Sequence, residues 1–366
     1  MSRAVKFLAI CVPIAIIVTT CIYLYQKNLS DKALFVPRTM LVDMPQSKYQ
    51  VKSHIYINDS TPGYELAVDG KYLIKACKVP TGIFTIFDIE SRKKVCTFGQ
   101  IGKADNEFIS YPDNIYTMRN ETGKIVLFAT DMNARKTKAI DLTASIRSKK
   151  CVVIKTMKHD NEIHDFDIFY IPHNTSFIAT GVNYVDPRDN IFTQPYLLVS
   201  SPKGSCKIAL YSKLISFNNY SFLSAIYSST FDYNVNKGLI IQAYSVLDRF
   251  NIIDPQGKTV TSIATKGSYD FKDLNKINTI SEAIKRTKVC YTDVTSSEKY
   301  IYLLFDGRSA NDFNTERKPH IEIRKFDWNG NLLKVYSIKD EIIKITYSNL
   351  KNKIFAMDTN GCIRAL

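Results

Sequence analysis

Tryptophan occurs once in these 366 residues, histidine five times, and no two cysteines stand as Cys-x-x-Cys. The missing cysteine pair excludes a zinc knuckle or a thioredoxin-like redox site. There is no G-x-S-x-G elbow, no G-x-x-x-x-G-K-[ST] phosphate loop, no dinucleotide fingerprint and no H-E-x-x-H pair. The common hydrolase, nucleotide and zinc-protease chemistries therefore have no local signature, and neither a catalytic residue nor a cofactor is expected. Acidic residues are in deficit, 35 against 49 Lys and Arg, for a net charge of +14. Such an excess can attract anionic partners. The basic residues are spread thinly, however, and cluster only at Arg92-Lys93-Lys94 and Lys149-Lys150. Neither cluster is interleaved with aromatics, so no nucleic-acid partner is expected.

What the chain does have is a strand-rich block that returns six times. Its anchors are Lys71 to Ile74, Lys124 to Leu127, Ser176 to Ala179, Gly238 to Ile241, Tyr300 to Leu303 and Lys353 to Ala356. They lie roughly 50–60 residues apart, and short strands repeating on that scale are the mark of a β-propeller. In the first block Tyr64 to Val68 alternates and ends at Asp69-Gly70. Three further strands follow, Lys71 to Cys77, Ile83 to Phe87 and Lys94 to Phe98. Asp254-Pro-Gln-Gly257 and Asp327-Trp-Asn-Gly330 mark tight turns in later blocks, because Asp caps the turn and Gly supplies positive φ. The last block holds only three strands, while Gln50 to Asp59 reads as an extra strand at the start. The economical solution is an all-β, six-bladed propeller over residues 49–366, its N-terminal strand completing the last blade and leaving no open edge at the seam. Two insertions break the period, one near Asp186 to Asn190 and one from Tyr269 to Arg286, where helical spacing predicts a short amphipathic helix. Insertions on one face of a repeat fold often carry binding.

Phe7 to Tyr25 is an uncharged run preceded by Arg3 and Lys6. It is long enough to cross a bilayer as a hydrophobic helix, with the positive end held inside and the body sent outward. Residues 1–27 are thus expected to be a membrane anchor or signal segment, and residues 28–48 a tether. Val18-Thr-Thr-Cys21 also resembles a lipoprotein box, which would anchor the body through an acylated cysteine. Each version places the body in the cell envelope, outside the cytoplasm. Cys77 and Cys96 fall on the second and fourth strands of one blade, about 10 Å apart, beyond the ~7 Å reach of a disulfide. Mostly reduced, buried thiols are expected.

The stretch Phe98-Gly99-Gln-Ile-Gly102-Lys-Ala-Asp-Asn-Glu107-Phe108 resembles the blade linker of NHL-type repeats and of the TolB-like six-bladed propellers common in Bacteroidetes. Asp105-Asn106 replaces the usual Gly-Pro, and the other blades lack the motif. The resemblance implies a fold and an exported location.

The function expected is a membrane-tethered extracytoplasmic binding module. One mouth of the ring, marked by an exposed aromatic patch, would engage a protein, peptide or glycan. The alternative is a metal-assisted hydrolase or lyase working in the channel. For that reading Glu65, Asp113, Asn114, Asp165, Asp232, Asn234 and Asp293 precede or lie on candidate inner strands and could converge on the axis. A second metal candidate is the cluster His164, Asp165 and Asp167. A polar loop leading into a strand explains that cluster as well.

Overall fold

The structure is a computed structural model. It describes residues 39–159, 227–256, 260–268, 287–309 and 321–366, together with strands between 164 and 208. Three short strands open the chain: β1 (Thr39–Val42), β2 (Tyr49–Val51) and β3 (His54–Ile57). The first blade is β4 (Gly63–Asp69), β5 (Tyr72–Cys77), β6 (Thr81–Asp88) and β7 (Lys94–Gln100). The second is β8 (Asn114–Arg119), β9 (Ile125–Asp131), β10 (Lys136–Asp141) and β11 (Val153–Lys158). A helix, α1 (Leu142–Ser148), joins its last two strands. The third blade is β12 (His164–Ile171), β13 (Ser176–Val182), β16 (Tyr196–Ser201) and β17 (Gly204–Ile208). A separate hairpin, β14 (Tyr184–Asp186) and β15 (Ile191–Phe192), rises within it. The fourth is β18 (Ser229–Asn234), β19 (Leu239–Tyr244), β20 (Arg249–Ile253) and β21 (Val260–Thr265). The fifth is β22 (Tyr291–Ser296), β23 (Tyr300–Phe305), β24 (Ile321–Asp327) and β25 (Leu332–Ile338). The sixth is β26 (Ile342–Ser348), β27 (Lys353–Asp358), β28 (Ile363–Ala365) and, as its outer strand, β3.

The expected closure is present. β3 pairs antiparallel with β28, Ile57 opposite Ile363 and His54 opposite Ala365. The single opening strand expected over 50–59 is instead two. β2 adds in parallel to the outer edge of the fifth blade, Tyr49 opposite Tyr336, before β3 joins the sixth. β1, which falls within the stretch expected to be tether, adds in parallel to β21 of the fourth blade. Three successive blades are therefore bound by one strap. The apolar segment 1–27 and the helix expected over 269–286 lie outside the described residues. Among the described residues, no helix is long and apolar enough to cross a membrane.

The core lies between blades, because each sheet must bury both faces against its neighbours. β5 shows how. Ile74 and Ala76 pack toward the second blade with Ile115 and Leu127. Leu73, one step out of phase, packs toward the sixth with Phe355 and Ile363. A strand sandwiched this way has no solvent face, which decides the fate of Lys75. The Phe98 to Phe108 linker works as a plug. Phe98 and Phe108 are buried against Phe84, with ring centroids 5.4 and 5.6 Å away. Gly99 adopts φ +82, and Glu107 accepts the Ala104 N–H at 2.9 Å. The described cysteines Cys77, Cys96, Cys151, Cys290 and Cys362 are free and buried. Burial raises the thiols of Cys77 and Cys96 and pushes that of Cys151 up to about 11.

Candidate functional site

The innermost strands β4, β8, β12, β18, β22 and β26 surround a channel cavity of about 520 Å³. We call the face where these strands begin the upper face. Polar bonds tie the strands to one another around the axis. Thr117 Oγ1 donates to the Val68 carbonyl at 2.9 Å, and Asn114 Nδ2 to that of Ile168 at 3.1 Å. Asn234 Nδ2 donates to the Ser297 carbonyl at 2.9 Å, and Ile345 N to Asp293 Oδ2 at 2.7 Å.

A register shift recurs near the upper end of four of these strands: between Gly63 and Glu65, Asp165 and Asp167, Tyr291 and Asp293, and Ile342 and Lys344. Bulges of this kind re-aim the residue that follows. In each case that residue is charged. Glu65, Asp293 and Lys344 meet across three blades, with Lys344 Nζ 2.6 Å from Glu65 Oε1 and 3.7 Å from Asp293 Oδ1. Burial pushes the Glu65 carboxyl up to about 7, against the pull of Lys344. Asp293 is raised by the same cause. Burial alone would lower the Lys344 ammonium, but the two carboxylates outweigh it and hold it above the usual lysine range.

Two more carboxylates line the channel and have no cationic partner among the described residues. Asp232 accepts from Ser296 Oγ at 2.5 Å, and burial pushes it up to about 6. Asp113 accepts from Met132 N at 2.9 Å and is likewise raised by burial. The Asn114 Oδ1 and Thr292 Oγ1 atoms, on residues that line the same cavity, are buried with no partner among the described residues. Tyr116, Phe169 and Phe231 also border the cavity, on the second, third and fourth blades, with successive ring centroids 4.6 and 6.0 Å apart.

Of the residues expected on the axis, Glu65, Asp113, Asn114, Asp232, Asn234 and Asp293 all line the channel. Lys344, which joins two of them, was not anticipated. His164, Asp165 and Asp167 stand on β12, an innermost strand, but their side chains lie outside the described residues. No group of three His, Cys, Asp or Glu is placed to hold a metal among the described residues. The aromatic patch expected at a mouth is not found there among the described residues. The aromatics gather inside the channel, and the strongly exposed Tyr49 sits on the rim.

A six-bladed ring closed by an N-terminal strand sets the comparison with known proteins. The family model for TolB-like six-blade propeller-like proteins matches residues 43–349. The chain belongs to the TolB-like six-bladed propeller family. A DUF4221 family member from Bacteroides vulgatus ATCC 8482 shares the fold with a TM-score of 0.57 at 10% identity, covering 87% of this chain and 97% of its own. A candidate exported protein from Bacteroides fragilis NCTC 9343 aligns with a TM-score of 0.50 at 10% identity, covering 87% and 86%. A streptogramin B lyase structure aligns at 0.44 with 12% identity, covering 86% and 96%. No curated protein matches the sequence. Within this TolB-like propeller the long connections all join strand ends on the upper face: between β13 and β16, β17 and β18, β21 and β22, and β23 and β24. The lower face carries mostly short turns.

Proposed function

We propose that this TolB-like propeller is a membrane-tethered, extracytoplasmic binding module, and that a peptide or protein partner inserts a cationic side chain through the upper mouth. The observation that carries this reading is the pair of channel carboxylates, Asp232 and Asp113, that lack a counter-ion among the described residues, with Tyr116, Phe169 and Phe231 bordering the same cavity. Carboxylates in a cavity that aromatic rings also line suit an ammonium or guanidinium group, which gains from both. The longest connections join strand ends on the upper face, and loops held by a rigid scaffold are where binding concentrates. The apolar run Phe7 to Tyr25 supports tethering, and the exported description of the Bacteroides fragilis relative agrees with a place outside the cytoplasm. The metal-assisted alternative is less well supported, because Lys344 already stands between the two carboxylates that a cation would need.

Fluorescence anisotropy with matched cationic, neutral and anionic peptides, and with neutral glycans, tests the reading. Cationic peptides should bind best, and Asp232→Asn should weaken them by about 10–100-fold, the worth of a charge-assisted hydrogen bond. Equal binding of all probes, or binding untouched by the substitution, would remove the channel from the interaction.

A further inference from the structure

The two basic clusters of the sequence, Arg92-Lys93-Lys94 and Lys149-Lys150, lie far apart in the chain and have no role in the channel. The fold brings them together. The first is the turn between β6 and β7, and the second follows α1, between β10 and β11. Both connections are on the lower face. α1 contacts β7 of the neighbouring blade, and the charges of Lys149 and Lys94 both act on the Cys96 thiol. Lys124, in the turn between β8 and β9, adds to the same face, and all these side chains are exposed. Nearby Glu90 is engaged by Lys351 at 3.3 Å.

The strap places the tether on the opposite side of the ring. β1 runs parallel to β21 of the fourth blade, and β21 starts at the lower face. Thr39, where β1 begins, thus stands at the lower-face end of the rim, across the disc from the first blade. Residues 26–38 span at most about 45 Å when extended, so a membrane anchor in the preceding apolar run keeps the disc close to the bilayer.

The geometry points to the lower face as a docking surface for an anionic lipid bilayer, with the N-terminal anchor at one rim and the Arg92–Lys94 and Lys149–Lys150 patch at the other. The inference rests on the tethered reading above. An anchor combined with a polybasic patch is a stable two-point attachment, since each alone is reversible or leaves the body free to rotate. Laid flat in this way, the disc presents the upper mouth of the channel away from the membrane.

The test uses the full chain in proteoliposomes of phosphatidylcholine alone or enriched in phosphatidylglycerol, with amine-reactive footprinting read by mass spectrometry. Lys93, Lys94, Lys149 and Lys150 should be labelled about fivefold less in the anionic vesicles, and high salt should restore them. Upper-face Lys78 and Lys103 should not change. The variant Lys93→Glu/Lys94→Glu/Lys149→Glu/Lys150→Glu changes only exposed side chains, so the fold should stand while the remaining lower-face Lys124 loses its protection. Uniform labelling in both vesicle types, or equal protection of Lys78 and Lys103, overturns the proposal. So does stronger protection of the patch by a soluble sulfated polysaccharide in neutral vesicles, which would make a glycan the occupant. Flotation separates the two readings. A chain that floats with neutral vesicles but shows no protection keeps its anchor and loses the docking face. Protection by anionic vesicles without flotation on neutral ones does the reverse.

Discussion

Replacing Lys75 with methionine should open the ring at its seam. Lys75 is fully buried, on the face of β5 that meets the sixth blade. Its Nζ donates to the carbonyls of Thr61 at 2.8 Å, Gly361 at 3.0 Å and Asp59 at 3.2 Å, and lies 3.5 Å from Asp59 Oδ2. Thr61 and Asp59 belong to the link from β3 to β4, and Gly361 to the turn between β27 and β28. One ammonium therefore satisfies three main-chain acceptors that the first and last blades share. Burial would raise the Asp59 carboxyl, but hydrogen bonds from Thr61 and the charge of Lys75 outweigh it and hold Asp59 below the usual range. Methionine keeps the length and apolar volume of the stem, so packing changes little. What is lost is the donor. Orphaned carbonyls cost about 1–3 kcal/mol each, and removing one partner of a buried ion pair about 3–5 kcal/mol in all. We expect a loss of about 3–5 kcal/mol, which for a domain of this size lowers the melting temperature by about 4–7 °C. Urea denaturation gives the free energy, and hydrogen exchange locates it. Protection should fall first in β3 and β28. A variant within about 1 kcal/mol of the parent, or one whose lost protection is spread evenly over all blades, would refute the reasoning.

Gly361→Ala attacks the same seam from the backbone. At φ +85 a Cβ would lie 2.2 Å from the Thr61 carbonyl oxygen, so a loss of about 1–3 kcal/mol by denaturant titration is expected. Lys344→Met leaves Glu65 and Asp293 without the ammonium between them. Both carboxyls already titrate above their ordinary values, so the variant should be least stable near pH 8 and recover toward pH 4, as a series of melting curves would show. Asp232 is raised from 3.8 to about 6, so its charged form works against folding. That penalty is absent below pH 4 and complete above pH 6. Asp232→Asn should therefore be more stable than the parent at pH 7, by at most about 3 kcal/mol, and no more stable at pH 3.5. An equal difference at both values would show that the carboxylate charge is not what the site resists.

Much of the ring was legible because its rules are local. Asp-x-x-Gly turns and alternating strands fix the blades, and a missing strand at one end with a spare at the other implies closure. The channel carboxylates could be found because acidic residues at the start of innermost strands face the axis. Lys344 could not, since one more lysine in a chain of charge +14 carries no signal. Nothing in the sequence marks Lys75 as buried, and only the packing of both faces of β5 shows that it is. β1 was missed, and β2 was not separated from β3, because strands of four and three residues have no periodicity to read. The seven-residue α1 is too short for a helical pattern, although Asp141 caps it by accepting the Ala144 N–H at 2.8 Å.

The strap imposes an order on biogenesis. β1, β2 and β3 precede all the blades, yet their partners β21, β25 and β28 belong to the last three. The nascent chain must hold these strand edges unpaired until their partners have been made, a state open to aggregation and proteolysis. Any chain cut short before β28 leaves β3 unmatched. The architecture thereby distinguishes finished molecules from truncated ones, and gives a chaperone or protease one specific feature to inspect: an opening strand without its mate.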